Sequence, residues 1–246
     1  MSEKLDLLDG VEIEEITIEG QTVSFPMRFY DQTCISANFP APTSKLKEIL
    51  PSKNLNPVEV MPGTGIVSFM AFEHKKADNI TPYNEFGTFI PVVYQKDGEA
   101  QAYPGLYSLS MPVNTEIARY GGVRIYGYPK IVTEVNFIDM GDMLGCNVWH
   151  DGKDIITLKV KKLETQKQSS EIFHITLKDE TLIRTQVRFQ GLIGASRDPD
   201  GATYELGNHE LSRMIRSTDV GEKPLEYSYM PKLKSLLYKP GQFLEK

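Results

Sequence analysis

Apolar and polar positions alternate along most of this chain with the period of a strand, and that alternation predicts most of its elements. Val11, Ile13, Ile16 and Ile18 approximate a two-residue repeat. Glu19-Gly20 makes a turn and Thr22-Val23-Ser24-Phe25 answers it, which predicts a hairpin. Pro26-Met27-Arg28-Phe29-Tyr30 continues extended, with one arginine among aromatic residues. Residues 65–72 are almost continuously apolar, as expected of a buried strand, and Glu73-His74-Lys75-Lys76 reads as a charged loop after it. Tyr83–Tyr94 is a second strongly strand-like run, with Glu85 at its entrance between aromatic residues. Further strands are predicted over residues 131–138 and 144–149. His150-Asp151-Gly152-Lys153 follows as a hairpin turn, because Asp-Gly supplies the positive φ values a tight turn needs. Ile156, Leu158 and Val160 alternate with polar residues on the return strand, and residues 173–189 hold one or two strands more.

The helical period shows in three short places. Residues 42–51 have Thr43 or Ser44 as cap, Leu46, Ile49 and Leu50 on one side, and Pro51 as stop. Residues 114–121 run from Asn114 as cap to Gly121-Gly122 as stop, and residues 208–216 place Leu211, Met214 and Ile215 on one side. The tail over residues 230–244 mixes lysine with leucine and is expected to pack across a sheet. No repeat, low-complexity segment or linker interrupts the pattern. The prediction is a mainly β protein, an antiparallel β-barrel or cone-like curved sheet with peripheral short helices. It is read as one domain over residues 1–246, with residues 1–20 partly an N-terminal arm whose first ten residues are acidic and turn-like.

Composition narrows the class. The 246 residues are 40% hydrophobic and 24% charged, ordinary values for a packed domain, and the net charge is −6. With no basic face to outweigh that charge, nucleic acid is not the expected partner. No apolar run is long enough to span a membrane and Met1-Ser2-Glu3-Lys4 does not open a signal peptide, so a cytoplasmic protein is expected. Cys34 and Cys146 have no Cys-x-x-Cys spacing and read as two free thiols, with a single disulfide left open. His74, His150, His174 and His209 show no metal-ligand spacing, so neither a metal nor another cofactor is expected.

The stretch with the most chemistry is Gly121-Gly122-Val123-Arg124-Ile125-Tyr126-Gly127-Tyr128-Pro129-Lys130, read as a short apolar strand pattern ending in a lysine. Pro129 fixes its own φ and pushes Tyr128 toward extended backbone, so Lys130 leaves a stiff segment. Around it stand Ile125, Tyr126, Tyr128, Ile131 and Val132, and the glycines allow close approach. Locally, Lys130 reads either as a solvated surface charge or as a desolvated amine. Arg28 likewise reads as a solvated strand charge or a site residue, and Glu85 as an exposed carboxylate or one that burial beside Phe86 suits to proton transfer.

Ile125-Tyr126-Gly127-Tyr128-Pro129-Lys130 resembles the acetoacetate decarboxylase family, in which a similar aromatic-Pro-Lys ends in the lysine that forms a Schiff base. Arg28 after the first hairpin, Ile49-Leu50-Pro51, and Tyr83-Asn84-Glu85-Phe86-Gly87-Thr88-Phe89-Ile90-Pro91-Val92 are similar to family segments in the same order. The resemblance implies that Lys130 is the nucleophile, that Glu85 shuttles protons and that Arg28 binds the substrate carboxylate. An unperturbed lysine is less than about one part in a thousand neutral at pH 7. Acetoacetate decarboxylase is itself the known example of an enzyme whose surroundings make such a lysine nucleophilic. Where the family usually carries a second lysine this chain has Ile131, which leaves desolvation to supply the neutral amine. Ser68 stands where a further glutamate is expected. The resemblance therefore implies a lyase that decarboxylates acetoacetate or a related β-keto acid, in a homo-oligomer. The alternatives are Schiff-base aldolase, dehydratase or hydratase chemistry on a larger 2-oxo acid, and a non-catalytic barrel that binds a small ligand.

Overall fold

The structure, a computed structural model, describes residues 6–18, 20–78 and 80–245. Residues 1–5 of the expected arm and Glu19 of the expected turn lie outside the described residues. The first hairpin forms as predicted, β1 (Glu14–Ile18) pairing antiparallel with β2 (Gln21–Phe25). The chain continues into the long strand β3 (Met27–Pro42), helix α1 (Thr43–Ile49), β4 (Leu55–Pro57), β5 (Thr64–Ala77), β6 (Tyr83–Tyr94) and β7 (Tyr103–Ser110). Helix α2 (Glu116–Gly121) follows, then β8 (Glu134–Asp139), β9 (Met143–His150), β10 (Lys153–Lys161), β11 (Gln166–Lys178) and β12 (Thr181–Ser196). β13 (Ala202–Leu206), α3 (Glu210–Arg216), β14 (Glu226–Leu237) and β15 (Gln242–Glu245) complete the chain.

The large sheet runs β11-β7-β6-β5-β3-β14-β12, and β12 pairs back onto β11, so it closes on itself as a barrel. Every pairing around the ring is antiparallel except β7 with β11. Closure leaves no unpaired edge in the ring. A second, four-stranded sheet in the order β13-β10-β9-β8 covers part of the outside. Its Cys146, Val148, Leu158 and Val160 share one core with Phe39, Phe69, Phe86 and Ile90 of the barrel. Because successive side chains on a strand point to opposite faces, β5 sends Val67, Phe69 and Ala71 into that outer core. Met70, Phe72 and His74 then face the barrel interior. With both faces covered, β5 reads as continuously apolar.

The fold is mainly β and curved, with short helices at its periphery, as the alternation predicts. Local expectations differ at several points. Glu73-His74-Lys75-Lys76 is not a loop but the end of β5, because pairing continues through Thr33↔Glu73 and Gln32↔His74 and places His74 inward. The tail does not lie across the sheet; β14 is a full member between β12 and β3. The strand expected from residue 131 starts at Glu134, since Ile131 and Thr133 bond instead to the backbone of Val113. Neither Thr43 nor Ser44 caps α1, and Asn114 does not cap α2; Pro42 and Thr115 hold those positions without a side-chain cap bond. Both cysteines are buried and free. Among the described residues, no helix is long and apolar enough to cross a membrane.

Candidate active site

The Gly-rich stretch before Lys130 is helical where a strand was expected. α2 passes directly into a wider π-helical turn over Gly122–Tyr126, and Gly127 ends it at a φ of 68°. Only glycine adopts that left-handed backbone without strain, and a Cβ at Gly127 would lie 2.5 Å from Lys178 Cβ. The exit is then held rigidly: Met111 N–H donates to Pro129 O (3.0 Å) and Val113 N–H to Ile131 O (2.9 Å). Lys130 thus hangs between two backbone anchors at the end of β7. Its side chain folds back over Gly122, where a Cβ would stand 2.5, 2.6 and 3.1 Å from its Cδ, Cε and Nζ.

Inside the barrel the Lys130 amine meets the Glu85 carboxylate in a direct ion pair. Their side chains are 6% and 11% exposed, so the pair is almost wholly out of water. Aromatic rings wall it, Tyr128 and Tyr83 having centroids 5.5 and 5.7 Å from Nζ. Glu85 lies on β6 opposite Phe72, and Tyr83 lies opposite His74. One inward face therefore carries the carboxylate, two aromatic rings and a histidine. His74 stacks on Tyr83 at 4.3 Å, and its Nδ1 lies 2.8 Å from Gln32 Nε2. On another wall, His174 Nδ1 shares a 2.8 Å hydrogen bond with the Tyr128 hydroxyl. Burial pushes the Tyr83 and Tyr128 hydroxyls well above the ordinary tyrosine range.

Both histidines are held neutral. Burial, and then the charge of Lys130, lower the His74 ring well below its ordinary range and take His174 from 6.5 to about 4. The unfolded chain therefore binds more protons than the folded protein between pH 6.5 and about 4, and folding stability falls as pH falls through that window. For His174 the expected loss is about 3 kcal/mol by the acid end. Urea unfolding at pH 7 and at about pH 4.5 should show it, and His174→Phe should flatten the profile; an unchanged acid slope in that variant would remove His174 as the cause.

The structure brings Lys130 and Glu85 together but gives Arg28 a different neighbour. Arg28 Nε and NH2 donate to Asp78 at 2.8 and 3.1 Å, and Tyr30 donates to the same carboxylate at 2.7 Å. Burial raises the Asp78 carboxyl, but these bonds outweigh it and hold it below the usual range. Asp78 also lines an apolar cleft together with Met27, Tyr120 and Gly121. Through Asp78, Arg28 thus adjoins a cleft that Gly121, Arg124 and Ile125 of the α2–π segment also line. His74, His174 and Asp78 are site residues that the sequence reading missed. For His74 a signal existed, because it continues the alternation of Met70 and Phe72 across a charged tetrad.

Sequence comparison with known families matches residues 17–225 to the acetoacetate decarboxylase family. Comparison with curated proteins gave no match. Among solved structures, an acetoacetate decarboxylase shares 16% identity at a TM-score of 0.65, covering 89% of either chain. An acetoacetate decarboxylase from Legionella pneumophila shares 19% at a TM-score of 0.64, covering 89% of this chain and 86% of that one. The enduracididine biosynthesis enzyme MppR, complexed with the condensation product of pyruvate and imidazole 4-carboxaldehyde, shares 12% at 0.64, with 89% of each chain covered. These likenesses extend the barrel and its covering sheet to proteins of little sequence identity. The match over residues 17–225, together with that fold, shows that the chain belongs to the acetoacetate decarboxylase family.

Proposed function

We propose that this protein decarboxylates a small β-keto acid, acetoacetate being the simplest, through an imine on Lys130. The observation that carries the reading is the Lys130–Glu85 pair enclosed in an aromatic-walled barrel. Transfer of one proton from the ammonium to Glu85 leaves a neutral amine and a neutral acid side by side, which removes two charges from a dry interior. The amine adds to the substrate ketone. Loss of water, aided by the proton on Glu85, gives a protonated imine. The bond to the carboxylate then breaks, CO2 leaves, and its electron pair flows into the imine. That step neutralises the opposite charges of iminium and carboxylate, so an apolar lumen favours its transition state over its ground state. Glu85, having taken up a proton from solvent after the dehydration step, passes it to the new carbanion-like carbon, and water releases the ketone. Arg28 would attract the substrate carboxylate from the cleft side, sharing its guanidinium with Asp78.

An aldol or dehydratase reaction on a larger 2-oxo acid would use the same imine, and evolution of CO2 distinguishes the two. Borohydride in the presence of acetoacetate should leave a reduced adduct on the peptide that carries Lys130, with CO2 released in parallel turnover. An adduct without CO2 would move the assignment to another imine reaction, and no adduct with acetoacetate, pyruvate or larger keto acids would end the imine reading altogether. Glu85→Gln keeps the shape of the carboxylate and removes its proton chemistry. It should lower kcat by roughly 10²–10⁴-fold with a smaller change in KM; steady-state assay at saturating substrate decides, and wild-type turnover would remove Glu85 from the mechanism.

A further inference from the structure

We propose that His74 supplies the hydrogen bond that receives the substrate's ketone oxygen while Lys130 adds to its carbon. The inference rests on the imine reading and adds a group that the family resemblance does not assign. It starts from the tautomer. Ser235 Oγ donates to Gln32 Oε1 at 2.9 Å, so the Gln32 amide turns its Nε2 toward His74, where it lies 2.8 Å from Nδ1. An amide nitrogen can only donate, so His74 Nδ1 accepts and the ring proton sits on Nε2. Among the described residues, that Nε2 is buried and has no hydrogen-bond partner. A buried N–H without an acceptor loses its hydration with nothing in return and is destabilising. A strand position that sustains this cost, with the opposite edge of the ring tied down through two further residues, is built to meet an acceptor that arrives later.

Placement makes the substrate that acceptor. His74 and Phe72 lie on the same inward face of β5, opposite Tyr83 and Glu85 of β6. His74 and Glu85 are therefore diagonal neighbours, a spacing of roughly 7–8 Å between backbones. The His74 ring is stacked against Tyr83, whose own ring lies 5.7 Å from Lys130 Nζ. Phe29 packs at 4.8 Å and Phe72 at 5.6 Å, so the ring is fixed on three sides. A ketone whose carbon is in reach of Nζ would carry its oxygen toward the inward face that Glu85, Tyr83 and His74 share.

The electron balance defines what the donor does. As the nitrogen–carbon bond forms, the C=O π pair moves onto oxygen. The alkoxide accepts from His74 Nε2–H, then takes two protons by way of Glu85, the acid's own and one given up by the adding nitrogen, and leaves as water. His74 gives up no proton. A neutral imidazole acts here as a fixed dipole aimed at developing charge, as in other sites where a neutral histidine polarises a carbonyl. Because addition precedes both decarboxylation and aldol chemistry, the role is common to either outcome.

The test is the rate of imine formation, read by rapid mixing with acetoacetate and borohydride quench on the full chain. His74→Phe keeps an aromatic ring in the stack and removes the donor. Trapping on Lys130 should slow about 100-fold, the usual loss for one such donor, and His74→Gln, whose side-chain N–H falls near the Nε2 position, should recover at least about a tenth of the rate. His74→Phe that traps at the wild-type rate while folded would overturn the proposal. Absence of trapping in the wild type would instead overturn the imine reading beneath it. Should His74→Phe not fold, imidazole nitrogen NMR of the wild type decides: a ring protonated on Nε2 supports the donor, and one protonated on Nδ1 refutes it.

Discussion

Lys130→Gln is expected to form no reducible adduct with any keto acid and to release CO2 at the uncatalysed rate. Lys130 is the amine paired with the buried, inward-facing Glu85. A covalent electron sink cannot be replaced by binding energy, so the loss is total and does not scale with substrate concentration. The glutamine is chosen over alanine for a physical reason. Removing one partner of a buried ion pair leaves the other charge uncompensated, which costs about 3–5 kcal/mol. Alanine could therefore fail by unfolding, whereas a glutamine amide still donates to the Glu85 carboxylate. Circular dichroism and urea denaturation establish that the variant is folded, and peptide mass analysis after borohydride reads the adduct. An adduct that persists on another peptide, for example one containing Lys178 beside Gly127, would move the nucleophile elsewhere.

Gly122→Ala is expected to cost about 100-fold in kcat without a comparable loss of folding. The backbone of Gly122 is ordinary right-handed helix, with φ −61° and ψ −46°, so its glycine is not required for conformation. By propensity alone alanine would be favoured there by up to about 1 kcal/mol. The glycine is required by the lysine instead. A methyl at Gly122 would occupy the place of Lys130 Cδ and Cε, at 2.5 and 2.6 Å, and would push the amine off Glu85. A displacement of about 1 Å at a reacting group is worth roughly 100-fold in rate. Gly121, one residue earlier, is the control, because a Cβ there meets nothing within 4 Å. Gly121→Ala should keep wild-type turnover and gain a few tenths of a kcal/mol from the helix. Equal activity in both variants would mean that the Lys130 side chain does not lie over Gly122 during turnover.

The two glycines illustrate why composition misleads locally. As a string, Gly121 to Lys130 combines apolar residues and glycines, and alternation alone makes it a strand. In the structure it is the end of a helix widened into a π turn. The reason lies in what surrounds it: Lys130 needs room above Gly122, and Gly127 must pass Lys178 closely. The same applies to His74. Its neighbours Glu73, Lys75 and Lys76 are charged, and a charged tetrad predicts solvent; strand pairing with β3 and β6 overrides that prediction and turns one of the four inward.

The sequence by itself determined the strand periodicity, the Asp151-Gly152 hairpin and the positions of the three helices, because each follows from contacts within a few residues of chain. It also carried the family through an ordered set of motifs, with Lys130 and Glu85 among them. Only the tertiary structure decided that the sheet closes, since the return of β12 onto β11 joins segments with no mark in local pattern. It alone placed Glu85 against Lys130 across 45 residues of chain, assigned Arg28 to Asp78, and brought His74 and His174 to the same interior. Burial, ion pairing and an unpartnered N–H are properties of distances between strands. A one-dimensional pattern shows which face a side chain takes, and the folded barrel alone shows what that face encloses.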